Sequence, residues 1–122
     1  MNKGLDELVL WQKARKYRQV IWRFSQHLPD EENFRLKDQL IRASRSVSAN
    51  IAEGNGRYYF KENIQFCRRA RGSLTETYEH LICAFDCRYL DQDQLENILT
   101  IHRNLLKILN GYIRYLKSFE DV

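Results

Sequence analysis

Apolar residues recur along this chain in alternating steps of three and four. Over residues 5–28 they fall at Leu10, Ala14, Tyr17, Ile21, Phe24 and Leu28, the period of a helix packed in a bundle. The residue before Pro29 is pushed out of the α region, so a first helix is predicted over 5–28. Asp30 reads as the N-cap of the next, with Glu31 and Glu32 at its positive end. The second helix, 31–53, carries Leu36, Leu40, Ala43, Val47 and Ile51. It finishes in small residues that let another backbone approach, and Gly54 is expected to end it as a left-handed residue.

The third helix is predicted over 59–88, with Phe60, Ile64, Cys67, Ala70, Leu74, Tyr78, Leu81 and Phe85 on one stripe. Gly72 falls on the opposite side, where it costs about 1 kcal/mol relative to Ala unless something packs closely there. Asp91 and Gln94 have capping-box spacing and open a fourth helix over 92–118. Its core stripe is Leu95, Ile98, Leu99, His102, Leu106, Leu109, Ile113 and Leu116. A second stripe lies beside it: Ile101, Leu105, Ile108, Tyr112, Tyr115 and Phe119. Together they exceed the roughly 100° that one bundle core needs, so the second stripe is expected to form an oligomer interface, with deep burial as the alternative. Four helices joined by short loops predict an all-α, antiparallel up-down-up-down four-helix bundle, one domain over 1–122.

Composition agrees with this outline. One Pro and five Gly are too few for a loop-rich or all-β chain, and 43% hydrophobic residues supply a core. No run of about 18 apolar residues exists, so no membrane span or membrane partner is expected. Three cysteines without framework spacing, and an N-terminus without signal-peptide features, point to a reducing cytoplasm. A net charge of +4 suits an anionic partner without demanding one.

Trp11, Arg15, Arg18 and Trp22 are spaced to share an outer face of the first helix. Arginine beside exposed tryptophan serves stacking on nucleic acid or a protein interface, and the interface is favoured because large aromatics are seldom left wet. A second basic set comprises Arg42, Arg45, Arg57, Arg68, Arg69 and Arg71. These residues could contact phosphates, while the interleaved Glu53, Glu62 and Glu76 imply internal pairing for part of the set. Residues 46–57, SVSANIAEGNGR, contain Asn50, Glu53, Gly54, Gly56 and Arg57, read as a structural turn in which Glu53 and Arg57 pair. Its GNG lacks the preceding strand and GK[ST] ending of a phosphate loop.

His80, Cys83 and Cys87 share a face, but no fourth ligand for Zn²⁺ is evident, and the expectation is no metal and no cofactor. His102 falls in a core stripe with no nucleophile assignable to it, so a hydrogen-bonded core histidine is expected. No catalytic motif is present, and the chain is expected not to be an enzyme.

Three runs carry a resemblance: LVLWQKA at 8–14, LPDEENFRLKDQLIRASRSVSANIAEGNGR at 28–57 and KENIQFCRRARGSLTE at 61–76. The pattern NIAEG-x-GR followed by E…A-x-GS-x-x-E is met at Asn50, Ile51, Ala52, Glu53, Gly54, Gly56, Arg57, Glu62, Ala70, Gly72, Ser73 and Glu76. In these the chain resembles the four-helix-bundle family first noticed as reading frames in intervening sequences of bacterial large-subunit ribosomal RNA genes. It departs at Phe34 and Arg35, where that family often has Tyr-Gly, so the resemblance does not fix the start of the second helix. The resemblance implies a bundle that assembles into a ring, a homopentamer. It also implies kinship with the accessory variability determinant of diversity-generating retroelements, a basic pentamer that binds nucleic acid and a reverse transcriptase. The family's biochemical role is poorly defined. The expected function is therefore a non-enzymatic oligomeric module binding nucleic acid, structured RNA first and DNA second. The alternative is a protein–protein adaptor or scaffold with no nucleic-acid role.

Overall fold

A computed structural model describes residues 3–120 of the chain. Its elements are α1 (Lys3–Asp6), α2 (Val9–Ser25), a 3₁₀ turn (Asp30–Glu32), α3 (Leu36–Asn55), α4 (Phe60–Asp86) and α5 (Gln92–Glu120). There is no strand among the described residues. The four long helices alternate in direction and close into a square, α2 on α3, α3 on α4, α4 on α5 and α5 back on α2. The α3–α4 contact is the most extensive. No described helix is long and apolar enough to cross a membrane.

The first expected helix is broken at Glu7 and Leu8, where Leu8 is extended. The seam formed by Leu10, Ala14, Tyr17 and Ile21 extrapolates backward by heptad steps onto Glu7 and Lys3. An unbroken helix would therefore turn two charged residues toward the core, where desolvation is costly even for a pair. Breaking the chain lets Leu8 pack on the core instead, and the Gln12 amide donates to the Asp6 carbonyl across the break.

The second helix also starts later than expected. Asp30 does not cap it; Asp30–Glu32 form the 3₁₀ turn, and α3 begins at Leu36. That is the first apolar residue of its stripe, and Phe34 just before it is 95% exposed. Glu32 has another role: its carboxylate accepts from the Tyr89 hydroxyl at 3.0 Å, tying this turn to the α4–α5 corner. In that corner Arg88 takes a left-handed φ of 64°.

Gly54 does not end α3. It is buried inside the helix, which runs on to Asn55, and no glycine among the described residues has a positive φ. Its role is close approach: a Cβ there would lie 2.5 Å from Asn63 Oδ1 and 2.9 Å from Phe66 Cβ, both on α4. A Cβ at Gly72 would meet nothing within 4 Å.

The buried seams differ from the expected stripes on three of the helices. On α4, Thr77 is buried and donates to the Ser73 carbonyl at 2.8 Å, while Tyr78 and Phe60 are exposed. On α5 the core passes through Leu105, and Leu106 is half-buried. On α2, Ser25 is fully buried and bonds the Trp22 carbonyl at 2.7 Å, with Phe24 beside the core. One polar pair crosses the core, the Tyr17 hydroxyl and His102 Nδ1 at 2.8 Å.

Asp91 and Gln94 form a reciprocal capping box. The Asp91 amide donates to Gln94 Oε1 and the Gln94 amide to Asp91 Oδ1, each at 2.8 Å. Replacing Asp91 by Ala leaves an α5 amide without its acceptor. The expected cost is about 1 kcal/mol, read as a lower urea midpoint with an unchanged m-value.

Candidate nucleic-acid interface

The two basic sets that are separate in sequence meet in space between α2 and α3. A groove of about 470 Å³ is lined by Arg18, Gln19, Trp22 and Arg23 of α2 and by Arg45 of α3. The arginine and tryptophan sit at steps of three and four on α2, and the antiparallel neighbour brings Arg45 across to them. No carboxylate lines the groove. Among the described residues, none of these three arginines is ion-paired. Burial, then the charges of Arg15 and Arg45, pull Arg18 below its usual range, since desolvation and neighbouring like charge both disfavour the charged form. Trp22 is 47% exposed. Trp11 is half-buried and covered by the Arg15 guanidinium, 5.7 Å from the ring centroid.

The rest of the basic set is dispersed. Arg42 lies 3.6 Å from Asp38 and faces a different groove, between α3 and α4, which Glu76 also lines. Arg57 pairs with Glu53 at 2.8 Å and with Glu62 at 3.8 Å, and its guanidinium also lies 4.9 Å from the Phe66 ring centroid. Arg69 rests on the same ring at 4.8 Å. Arg71 donates to Asn110 of α5 at 3.0 Å. Arg68 is exposed and has no ion-pair partner among the described residues. Sequence reasoning missed Arg23, and also Lys107 and Arg114, which line a basic cleft on the outer side of α5. Their period along α5 was a signal, obscured by the apolar stripes beside them.

Asn50 is not part of a turn. It lies within α3, and its amide bonds the Ser46 carbonyl at 2.8 Å. Gly56 follows the last residue of α3 in a right-handed conformation.

The second α5 stripe divides by depth. Ile101, Ile108 and Tyr112 are half-buried against the chain's own core, whereas Tyr115 and Phe119 are 56% and 40% exposed. Phe119 stacks on Phe60 at 5.2 Å and meets Tyr115 edge-on at 4.9 Å. Tyr112 continues the run 6.1 Å from Tyr115 and accepts a hydrogen bond from Asn63.

His80, Cys83 and Cys87 do not converge on a centre. His80 Nε2 is 3.6 Å from Glu76, beyond hydrogen-bond reach, Cys83 points to Glu79 and Cys87 is exposed. Burial and the Glu79 carboxylate push the Cys83 thiol up, away from the thiolate that a metal or an electrophile would need. Among the described residues no group of three His, Cys, Asp or Glu side chains could hold a metal ion.

The model of the 23S rRNA-intervening sequence protein family matches residues 6–111. The chain belongs to that family. The matched span runs from the end of α1 through most of α5, so it includes every residue of the α2–α3 groove. A crystallised protein of unknown function from the S23 ribosomal protein family of Bacteroides thetaiotaomicron has the same fold. It is 24% identical, with a TM-score of 0.79 over 86% of this chain and 98% of its own. Comparison with curated proteins gave no match. This rRNA-intervening sequence family member thus shares its bundle with that neighbour, and its function has to be argued from the site rather than from the fold.

Proposed function

We propose that this family member is a non-enzymatic oligomeric module that binds structured RNA through the α2–α3 groove. The observation that carries the reading is the convergence of Arg18, Arg23 and Arg45 around an exposed Trp22 with no carboxylate in the lining. Unpaired guanidinium groups that repel one another are relieved by phosphate, and such contacts release counterions. Arg68 adds a further unpaired cation, while Arg42, Arg57, Arg69 and Arg71 are occupied within the chain and would contact RNA only by exchanging partners.

Electrophoretic mobility shifts with an RNA hairpin test this reading. Binding is expected at low salt and should weaken steeply as salt rises, with the double variant Arg18→Gln/Arg45→Gln reducing the log–log salt slope by about two. A flat shift, or affinity indifferent to salt, would sink it.

Assembly belongs to the same proposal. A ring of five subunits is what the family resemblance implies, and the exposed run of Phe60, Phe119 and Tyr115 is a surface of the kind buried between subunits. Charged replacements at Ile108 and Tyr115 are expected to lower the oligomeric state with helicity retained. Light scattering that still gives the parent mass removes this stripe from the interface. The ion pairs of Arg42 and Arg57 favour the second reading, a protein–protein adaptor whose basic residues are balanced internally. In that case the assembled particle binds no RNA hairpin at any salt.

A further inference from the structure

The α2–α3 groove contains more than a phosphate site needs. A tryptophan half open to water lies among three guanidinium groups, and Gln19 adds an amide with both donor and acceptor capacity. The opening, about 470 Å³, is within the roughly 300–1,000 Å³ of clefts that hold small organic groups. Arginines alone would serve for duplex RNA, whose bases are stacked inside the helix and which is recognised mainly through backbone and 2′-hydroxyl contacts. Within an RNA ligand, an indole face serves a planar group that can leave its stack.

We infer that the groove takes an unpaired nucleotide of RNA, its base stacked on Trp22 and its flanking phosphates held by Arg18 and Arg45. This rests on the RNA-binding reading above and narrows its ligand to loops, bulges or single strands. Stacking tolerates any base because each has a π face, and with the arginines engaged on phosphates Gln19 is left to read a base edge. Arg23 is placed to meet the next phosphate along the strand. Arg15 is already spread over Trp11, which leaves Trp22 as the platform.

The test uses the full chain carrying Trp11→Phe, so that emission comes from Trp22 alone. The probes are oligouridine and the same strand paired with oligoadenosine. Oligouridine is expected to quench Trp22 emission, and the duplex to do so far less. Trp22→Ala should weaken oligouridine binding about tenfold, with Trp22→Tyr restoring most of it and circular dichroism unchanged in both. If Trp22→Ala binds oligouridine as tightly as its parent, or the duplex binds equally well, the groove holds backbone only. The inference then falls while salt-dependent RNA binding stands. If neither probe binds at low salt, both readings fall. A blue shift of Trp22 emission that grows with protein concentration, without RNA, makes this face a subunit contact and overturns the inference as well.

Discussion

Replacing Gly54 by Ala is expected to destabilise the protein by about 1–3 kcal/mol, the usual cost of overpacking a well-packed core. The sign runs against propensity, because Gly to Ala inside a helix ordinarily gains about 1 kcal/mol. Here the added methyl would meet Asn63 Oδ1 at 2.5 Å, Phe66 Cβ at 2.9 Å and the Asn63 carbonyl at 3.2 Å. The Asn63 side chain cannot retreat freely, since its amide donates to the Tyr112 hydroxyl and its carbonyl oxygen accepts from Cys67. Phe66 Cβ and the Asn63 carbonyl move only with the α4 backbone. The α3–α4 pair must therefore separate, and the loss is spread over the most extensive helix contact in the fold. Gly72→Ala is the control, with open space around it and an expected gain approaching 1 kcal/mol. Urea denaturation of both variants checks the pair. A Gly54→Ala midpoint at or above that of the parent would show that α4 yields without cost.

A comparable effect is expected at the Tyr17–His102 pair, whose two residues are 85 positions apart and both buried. Tyr17→Phe removes one partner and leaves a polar ring nitrogen in the core. The expected cost is about 1–3 kcal/mol. Burial, and secondarily the charge of Arg103, hold the His102 imidazole below its usual range, while in the unfolded chain it titrates near 6.5. The folded chain thus binds fewer protons at this site. Its stability contribution is complete above about pH 6.5 and falls as the pH drops through that value. His102→Gln should flatten this part of the stability–pH curve between about pH 7 and 5. Equal slopes in parent and variant would place the titration elsewhere. Tyr17, itself pushed up by burial, stays a phenol throughout.

Much of the bundle was legible because a seam at steps of three and four has few other solutions. Leu10, Ala14, Tyr17 and Ile21, or Leu40, Val47 and Ile51, say which face is inward without any knowledge of the partner. The ends were less legible. The break at Glu7–Leu8 and the late start of α3 at Leu36 appear when each stripe is extrapolated past its last apolar residue, where it reaches charge. Gly54 was misread because a glycine before a turn normally signals a left-handed cap. Nothing within α3 announces that Phe66 lies against it. Thr77 and Leu105 replaced Tyr78 and Leu106 because neighbouring positions differ by only about 100° around a helix. The partner helix then decides which of two flanking residues is enclosed.

The candidate site was legible in its residues and not in its grouping. Arg18 and Trp22 share a helix face, but Arg45 is more than twenty positions away and joins them only because α2 and α3 lie antiparallel. Arg42 and Arg45 are one turn apart on α3 and open onto different grooves, one beside Glu76 and one beside Arg18. A count of arginines along the sequence merges these two environments. The packing of α3 separates them.

The hydrogen bond that links Tyr17 to His102 also sets an order of events during synthesis. The inward face of α2 is made early, but the α5 surface against which it closes is translated only after α3 and α4. Until α5 leaves the ribosome, Leu10, Ala14, Tyr17 and Ile21 have only α3 beside them and one flank open. The nascent chain therefore passes through a stage in which three helices expose an apolar trough, the kind of surface that chaperones engage and that drives aggregation of incomplete chains. Ribosome stalling within α5 is a more hazardous event for this protein than stalling within the α3–α4 hairpin, whose contacts are local and close on themselves.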